Sequence, residues 1–152
     1  MIDESKLEVG QVLWLNVKYQ KNVESKVEHP MLICRVEKKF IEVIALDKTA
    51  GKLHQLFHKY NYFINSLNPK ESVIFEDSYA QLNTKLTIEL TEELIKARKT
   101  VNKLSQDKLQ DLIETYNDYQ KYNKIDADRV VHMSSTEILK LNPNLKQDKV
   151  LS

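Results

Sequence analysis

The spacing of apolar residues changes once along this chain of 152 residues, close to residue 90. Before that point, short runs rich in Val, Ile, Phe, Tyr and Trp alternate with polar turns, which is typical of strands. After it, apolar residues recur at steps of four and three, the spacing of one helix face: Leu90, Leu94, Ala97, Val101 and Leu104. The sequence therefore predicts an α+β fold, with a β-rich N-terminal part followed by C-terminal helices.

Six short apolar runs are predicted to form strands: 12–19, 31–36, 40–46, 53–60, 62–64 and 72–75. Gly10 suits a tight turn before the first of them, and Glu37–Lys39 suits a hairpin turn between the second and third. The polar residues 47–52 are predicted to form a further turn or loop. Strands of this length and spacing favour a small barrel or a sandwich.

Capping residues divide the C-terminal part into three predicted helices. Thr91, followed by two glutamates, begins the first, and Ser105 begins the second. Ser134 and Glu137 have capping-box spacing before a short third helix, which Asn142–Pro143 ends.

Composition points to one globular domain, since 41% of residues are hydrophobic and 30% are charged. The single cysteine, Cys34, lies in an apolar run and is interpreted as a packing residue in a reducing compartment. The acidic start and the absence of a long apolar run favour a cytoplasmic protein without a membrane span. Residues 1–70 carry eleven Lys/Arg against eight Asp/Glu, so a polyanion would bind this half more readily.

His29 stands directly before Pro30, which holds the preceding residue in extended geometry. It therefore sits rigidly at the mouth of a predicted buried strand, after the polar segment 20–28. An imidazole suits proton transfer near neutral pH, so His29 is a candidate acid or base. The alternative is a surface histidine that happens to precede a proline.

The segment 47–52 brings a hydroxyl and two cations together, from Thr49, Lys48 and Lys52. Such a loop could hold a phosphodiester and stabilise charge that grows in a transition state, although a plain polar turn has the same composition. His54 and His58 are four residues apart, but the surrounding residues favour a strand, on which the two could not share one metal ion. We expect a strand that is exposed or faces RNA there, and no metal site.

Taken in order, several of these segments resemble the PemK/MazF toxin family. The matching segments lie within residues 7–104: 10–15, a polar loop, 29–33, the strand that leads to Lys48–Thr49, 72–77 and 81–86. The resemblance implies a small SH3-like β-barrel that forms a homodimer with a groove for single-stranded RNA. It also implies endoribonuclease activity without a metal or cofactor, and inhibition by a cognate antitoxin protein. Residues 1–104 are then predicted to form the barrel with its closing helix. Residues 105–152 have no counterpart in compact members and are predicted to form a helical extension on or beside the barrel.

Carried onto this sequence, the resemblance makes His29 and Thr49 the catalytic residues. Lys48 or Lys52 would assist them at the substrate. His54 and His58, on the strand predicted to face RNA, and Glu76, near the implied groove, are the further predicted substrate-binding residues. Glu76 could orient His29 or simply face solvent. The family usually has Arg where this chain has His29, and an imidazole offers phosphate fewer donors than a guanidinium does.

Two other functions fit the same residues. One is a non-catalytic barrel that binds RNA or a protein, its catalysis lost with the family arginine. The other is an interaction protein with a partner surface formed by Tyr116, Tyr119 and Tyr122.

Overall fold

A computed structural model describes residues 7–20, 23–24, 28–48, 61–64, 78–100 and 103–146. The strands are β1 (Val12–Leu15), β2 (Lys18–Gln20), β3 (Val23–Glu24), β4 (His29–Val36), β5 (Phe40–Lys48), β6 (Asn61–Ile64), β7 (Ser78–Gln81), β8 (Lys85–Glu89) and β9 (Val130–Met133). The helices are α1 (Glu92–Ile95), α2 (Gln106–Tyr122) and α3 (Ser135–Leu141), with 3₁₀ turns at Ala127–Arg129 and Pro143–Lys146. The α+β class is confirmed.

Seven of these strands form one sheet around the long strand β5. The order runs β1-β4-β5-β7-β6, and β8 joins it by pairing with the first half of β5, while β7 pairs with the last three residues. All pairs are antiparallel except β8–β9, which is parallel. Strands β2 and β3 form a separate two-stranded sheet. Across the described residues, this pairing does not close into a ring.

Side chains alternate cleanly between the two faces of the sheet. One face carries Leu13, Leu15, Met31, Val43 and Ala45, which pack with residues of α1, β9 and α3; we call this side the first core. The other face carries Val12, Leu32, Ile44 and Leu46, which pack under Leu112 and Tyr116 of α2; we call this side the second core. Because both faces are covered, β4 and β5 contain nearly continuous apolar runs.

Residues after 104 therefore contribute to both cores of the sheet. Val131 and Met133 of β9 and Ile138 of α3 belong to the first core, whereas α2 covers the second.

The single helix predicted over 90–104 is wrong beyond Ile95. Helix α1 has one turn, with Thr91 accepting from the backbone N–H of Leu94 at 3.3 Å. The following residues run along the edge of β1, where Trp14 N–H donates to Arg98 at 2.9 Å and Thr100 N–H donates to Val12 at 2.9 Å. Leaving the backbone N–H and C=O groups of an edge strand unpaired costs free energy, and this segment supplies hydrogen-bond partners for those of β1. The helical spacing gave a wrong prediction because these apolar residues do not share one helix face: Leu94 packs in the first core and Leu104 in the second.

Two further elements differ from the sequence predictions. Strand β9 lies where only helices were expected. Asp47 and Lys48, predicted to lie in a loop, are the last two residues of β5. The predicted strands 53–60 and 72–75 fall outside the described residues.

The two later helices are confirmed. Helix α2 begins after Ser105, although the Ser105 hydroxyl donates to the Asp107 carboxylate rather than capping the helix. The capping box of Ser134 and Glu137 is present at the start of α3.

Candidate functional site

His29 is the first residue of β4, and its side chain lies on the first-core face of the sheet. The residue pairs with Leu15 of β1, and the following Pro30 pairs with Trp14. Leu15 is buried, whereas the side chain of His29 remains half-exposed. The predicted position of His29 at the start of a buried strand is therefore confirmed.

Asp47 lies on the neighbouring strand and lines the same cavity as His29. Met31 of β4 pairs with Ala45 of β5, and extending this register by two residues brings His29 level with Asp47. Both residues line one cavity of ≈ 190 Å³, together with Val17, Met31, Ala45, Leu46 and Gln81. An imidazole, a carboxylate and a carboxamide thus share an apolar floor, as in many small-molecule sites.

A tyrosine on the next strand holds the Asp47 carboxylate. Asp47 pairs with Tyr79 of β7, and the Tyr79 hydroxyl donates a hydrogen bond of 3.1 Å to Asp47 Oδ2. Tyr79 is only 5% exposed, so its ring fixes the direction of this bond. Tyr79 pairs in turn with Phe63 of β6. One row of side chains therefore crosses this face of the sheet, and we call it the cross-sheet row: Leu15, His29, Asp47, Tyr79 and Phe63.

Lys48 does not join this row. It follows Asp47 directly on β5, and consecutive strand residues point to opposite faces, so Lys48 lies on the side of the second core. Its side chain is exposed there. The structure thus brings His29 together with Asp47 rather than with Lys48.

The remaining predicted site residues lie outside the described part of the chain: Thr49, Lys52, His54, His58 and Glu76. Their catalytic and substrate-binding roles stay predictions. Asp47, Tyr79 and Gln81 were not foreseen as site residues. Asp47 could have been noticed as a carboxylate at the end of an apolar run, but its pairing with Tyr79 depends on a register that links distant segments.

A second polar cluster lies on the opposite face, under α2. Glu42 is 7% exposed, and its carboxylate accepts from the Tyr116 hydroxyl at 2.6 Å and from Arg35 Nη2 at 3.0 Å. The Cys34 thiol donates to the Glu42 carbonyl oxygen at 3.4 Å. A cavity of ≈ 270 Å³ adjoins the cluster and is also lined by Lys85 and Gln120.

Burial dominates the acid–base behaviour of this cluster. Desolvation, followed by the hydrogen bond to the Glu42 carboxylate, raises the pKa of Tyr116 far above its usual range. Burial also raises the pKa of the Cys34 thiol, with Glu42 adding to the effect. Cys34 therefore remains a thiol and packs against the second core, as its apolar neighbours predicted.

Two further properties of the described residues are relevant to function. No three His, Cys, Asp or Glu side chains among them lie close enough to hold a metal ion. None of the helices in this part of the chain is both long and apolar enough to cross a membrane.

No protein-family model matches the chain, and no curated protein matches it significantly.

Proposed function

We propose that this protein is an endoribonuclease that cleaves single-stranded RNA by attack of the RNA's own 2′-hydroxyl, in the manner of the PemK/MazF toxin family. The observation that carries the proposal is the shared cavity of His29 and Asp47, with Asp47 held by Tyr79. The SH3-like barrel, the homodimer, a cytoplasmic location and a cognate antitoxin belong to the same proposal. A closed barrel would need strand pairs beyond those among the described residues.

The reaction needs proton transfer rather than a protein nucleophile. The 2′-oxygen bonds to phosphorus, its proton passes to a base, and the P–O5′ bond breaks as the 5′-oxygen takes up a proton. The products are a 2′,3′-cyclic phosphate and a 5′-hydroxyl. His29 is suited to one of these transfers because its imidazole can both accept and donate a proton.

Asp47 is suited to hold the His29 imidazole in the orientation that proton transfer requires. A carboxylate beside a histidine can fix the ring's orientation and tautomer, as a third group does in hydrolase triads. Tyr79 in turn restricts the rotation of the Asp47 carboxylate, because its ring is buried and its hydroxyl donates a hydrogen bond to Asp47. Thr49 and Lys52 are proposed to contact the scissile phosphate, and His54, His58 and Glu76 to contact the RNA beside it. Lys48 is proposed to attract the RNA backbone from the other side of β5.

The direct test is incubation of the pure protein with a long single-stranded RNA in EDTA. We expect discrete fragments with cyclic-phosphate ends, and no cleavage where a 2′-deoxynucleotide replaces the nucleotide at the cut. His29→Ala should abolish cleavage. His132→Ala is the matched control, because His132 lies on β9 with its Nδ1 at 2.8 Å from Thr87 Oγ1, in another part of the sheet.

The alternative is a barrel that binds RNA or a protein without cleaving. It is favoured if wild-type protein binds RNA and leaves it intact, and if His29→Arg, which restores the family residue, then produces cleavage. Equal cleavage by the wild type and His29→Ala would contradict the proposed site.

A further inference from the structure

Phe63 is an exposed aromatic residue in β6, at the last position of the cross-sheet row. Its side chain is 42% exposed, although its strand neighbour Ile64 is fully buried. A single exposed apolar residue is ordinary on a protein surface. The position of this one is informative, because it continues a row that begins at the candidate catalytic histidine.

The geometry of the sheet sets the distance between these two residues. Phe63 pairs with Tyr79, and Tyr79 pairs with Asp47. His29 lies on the strand beyond Asp47 and lines one cavity with it. Adjacent strands are about 4.8 Å apart, so three steps separate His29 from Phe63 by about 14 Å across one face. A short single-stranded segment with its phosphate at His29 is long enough to reach the ring of Phe63, passing above the buried Tyr79.

Two carboxamides lie beside the row on the same face. Asn61 of β6 pairs with Gln81 of β7, two residues along each strand from Phe63 and Tyr79, and Gln81 also lines the His29 cavity. Proteins recognise splayed RNA bases by stacking them on aromatic rings and by hydrogen bonds to their edges. An exposed ring next to amide groups supplies both kinds of contact.

We propose that Phe63 is a stacking platform for one nucleobase of single-stranded RNA, placed beyond the cut site along the cross-sheet row. This inference rests on the proposed ribonuclease function and adds a binding subsite to it. Stacking on a phenylalanine ring tolerates any base, because every base has a π-face. The platform therefore contributes affinity and register, whereas base preference at this position arises from Asn61 and Gln81.

The test measures binding separately from cleavage. A labelled single-stranded RNA carrying 2′-O-methyl groups throughout cannot be cut by 2′-hydroxyl attack, so its affinity can be followed by fluorescence anisotropy. Phe63→Leu keeps an apolar side chain but removes the ring, and Phe63→Trp keeps a ring. Tyr122→Leu is the matched control, because Tyr122 is an exposed aromatic, 74% accessible, on α2. Thermal melting of each variant shows that the fold is retained.

We expect Phe63→Leu to bind about 5- to 150-fold more weakly, and Phe63→Trp and Tyr122→Leu to bind like the wild type. Removing single bases from the RNA should identify one position whose loss weakens wild-type binding but no longer affects Phe63→Leu. Unchanged affinity of Phe63→Leu, while the wild type still binds and cleaves RNA, would overturn the subsite and leave the proposed function standing. A shift in oligomeric state of Phe63→Leu at unchanged RNA affinity would overturn it too, by assigning the ring to a second copy of the chain. Absence of both binding and cleavage in the wild type would overturn the proposed function, and the subsite with it.

Discussion

The hydroxyl of Tyr116 in α2 donates a 2.6 Å hydrogen bond to the carboxylate of Glu42, the third residue of β5, 74 positions earlier in the chain. Both residues are buried, and Arg35 supplies the second partner of the carboxylate. A buried charge that loses a partner retains the cost of its desolvation. This pair therefore ties α2 to the sheet.

Tyr116→Phe should lower the free energy of unfolding by about 1.5–3 kcal/mol, because it removes a hydrogen bond to a buried charged group and leaves the ring in place. Urea denaturation of the two proteins measures this difference. Tyr122→Phe, at an exposed position of the same helix, should change stability by less than about 0.5 kcal/mol. Equal stability of Tyr116→Phe and wild type would mean that α2 is held by apolar packing alone.

Asn142 makes another polar link, between the C-terminal part and the residue that follows β1. Its side chain is fully buried, with Oδ1 accepting from the backbone N–H of Asn16 at 2.8 Å and Nδ2 donating to the Asn16 carbonyl at 2.8 Å. Asn142→Ala should destabilise the protein by roughly 2–4 kcal/mol, because both backbone groups of Asn16 lose this partner. Urea denaturation measures the change. Asn144→Ala, two residues further and exposed, is the control and should be nearly neutral; a similar loss there would contradict the assignment.

The local sequence pattern was sufficient to predict the elements whose signals come from neighbouring residues in the chain. Strands β4 and β5 were predictable because their nearly continuous apolar runs reflect a sheet covered on both faces. Helix α3 was predictable because the capping box of Ser134 and Glu137 is a purely local signal. The segment after α1 was not, because Leu94 and Leu104 keep helical spacing while packing on opposite sides of the sheet.

The candidate site could be predicted only where a residue and its immediate neighbours in the sequence indicate a function. His29 was identified from the proline that follows it. The partnership of Asp47 with Tyr79 could not be foreseen, because it depends on β7 pairing with the end of β5 while β8 occupies its first half. Asn142 was interpreted only as a helix stop, since its link to Asn16 joins residues 126 positions apart.

Acidification should loosen the start of α3, where two carboxylates accept hydrogen bonds. The backbone N–H of Ser135 donates to Glu89 at 2.7 Å and holds the pKa of that carboxyl below its usual 4.5. Lys18 Nζ, at 2.7 Å, lowers the pKa of Glu137 in the same way, with the backbone of Ser134 adding to it. A carboxyl whose pKa is lowered by folding stabilises the folded state above the unfolded pKa, and this contribution is lost as the pH falls through the folded pKa.

Melting temperature should therefore fall as the pH drops below about 4.5, and the double variant Glu89→Gln/Glu137→Gln should show a shallower fall. The pKa of Lys18 is raised by Glu137, so its contribution is present below 10.5 and lost as the pH rises beyond the raised value. Because these groups are solvent-accessible, 0.5 M salt should reduce both effects. Identical acid profiles of the wild type and the double variant would contradict this account.

Gly10 occupies a backbone conformation with φ of +97°, at the turn before β1. A Cβ at this position would lie 3.0 Å from Leu109 Cδ2 and 3.2 Å from Lys103 Cβ. Gly10→Ala should therefore destabilise the protein by about 1–3 kcal/mol in urea denaturation, through backbone strain and crowding together. Leu109→Ala separates the two causes, because it makes room without changing φ. If Gly10→Ala costs nothing in that background, crowding alone explains the glycine.

Tyr79 is predicted to act on RNA cleavage as a positioning residue, through Asp47 and His29. Tyr79→Phe retains the buried ring and removes only the hydroxyl that donates to Asp47 Oδ2. If that bond fixes the carboxylate beside His29, the rate of RNA cleavage at saturating substrate should fall roughly tenfold, the equivalent of about 1.4 kcal/mol. Asp47→Asn should lower the rate at least as much, and Tyr79→Phe should then have no further effect in the Asp47→Asn background.

Comparison of the wild type, the two single variants and the double variant distinguishes a positioning role of Tyr79 from an effect on the stability of the fold. Each single variant should retain RNA affinity and, within a few degrees, its melting temperature, because the cavity keeps its apolar floor of Met31 and Ala45. Additive losses of rate in the double variant would show that Tyr79 and Asp47 act independently, which would contradict a row that works as one unit. A tenfold loss of rate accompanied by a matching loss of folded protein would make Tyr79 a structural residue only.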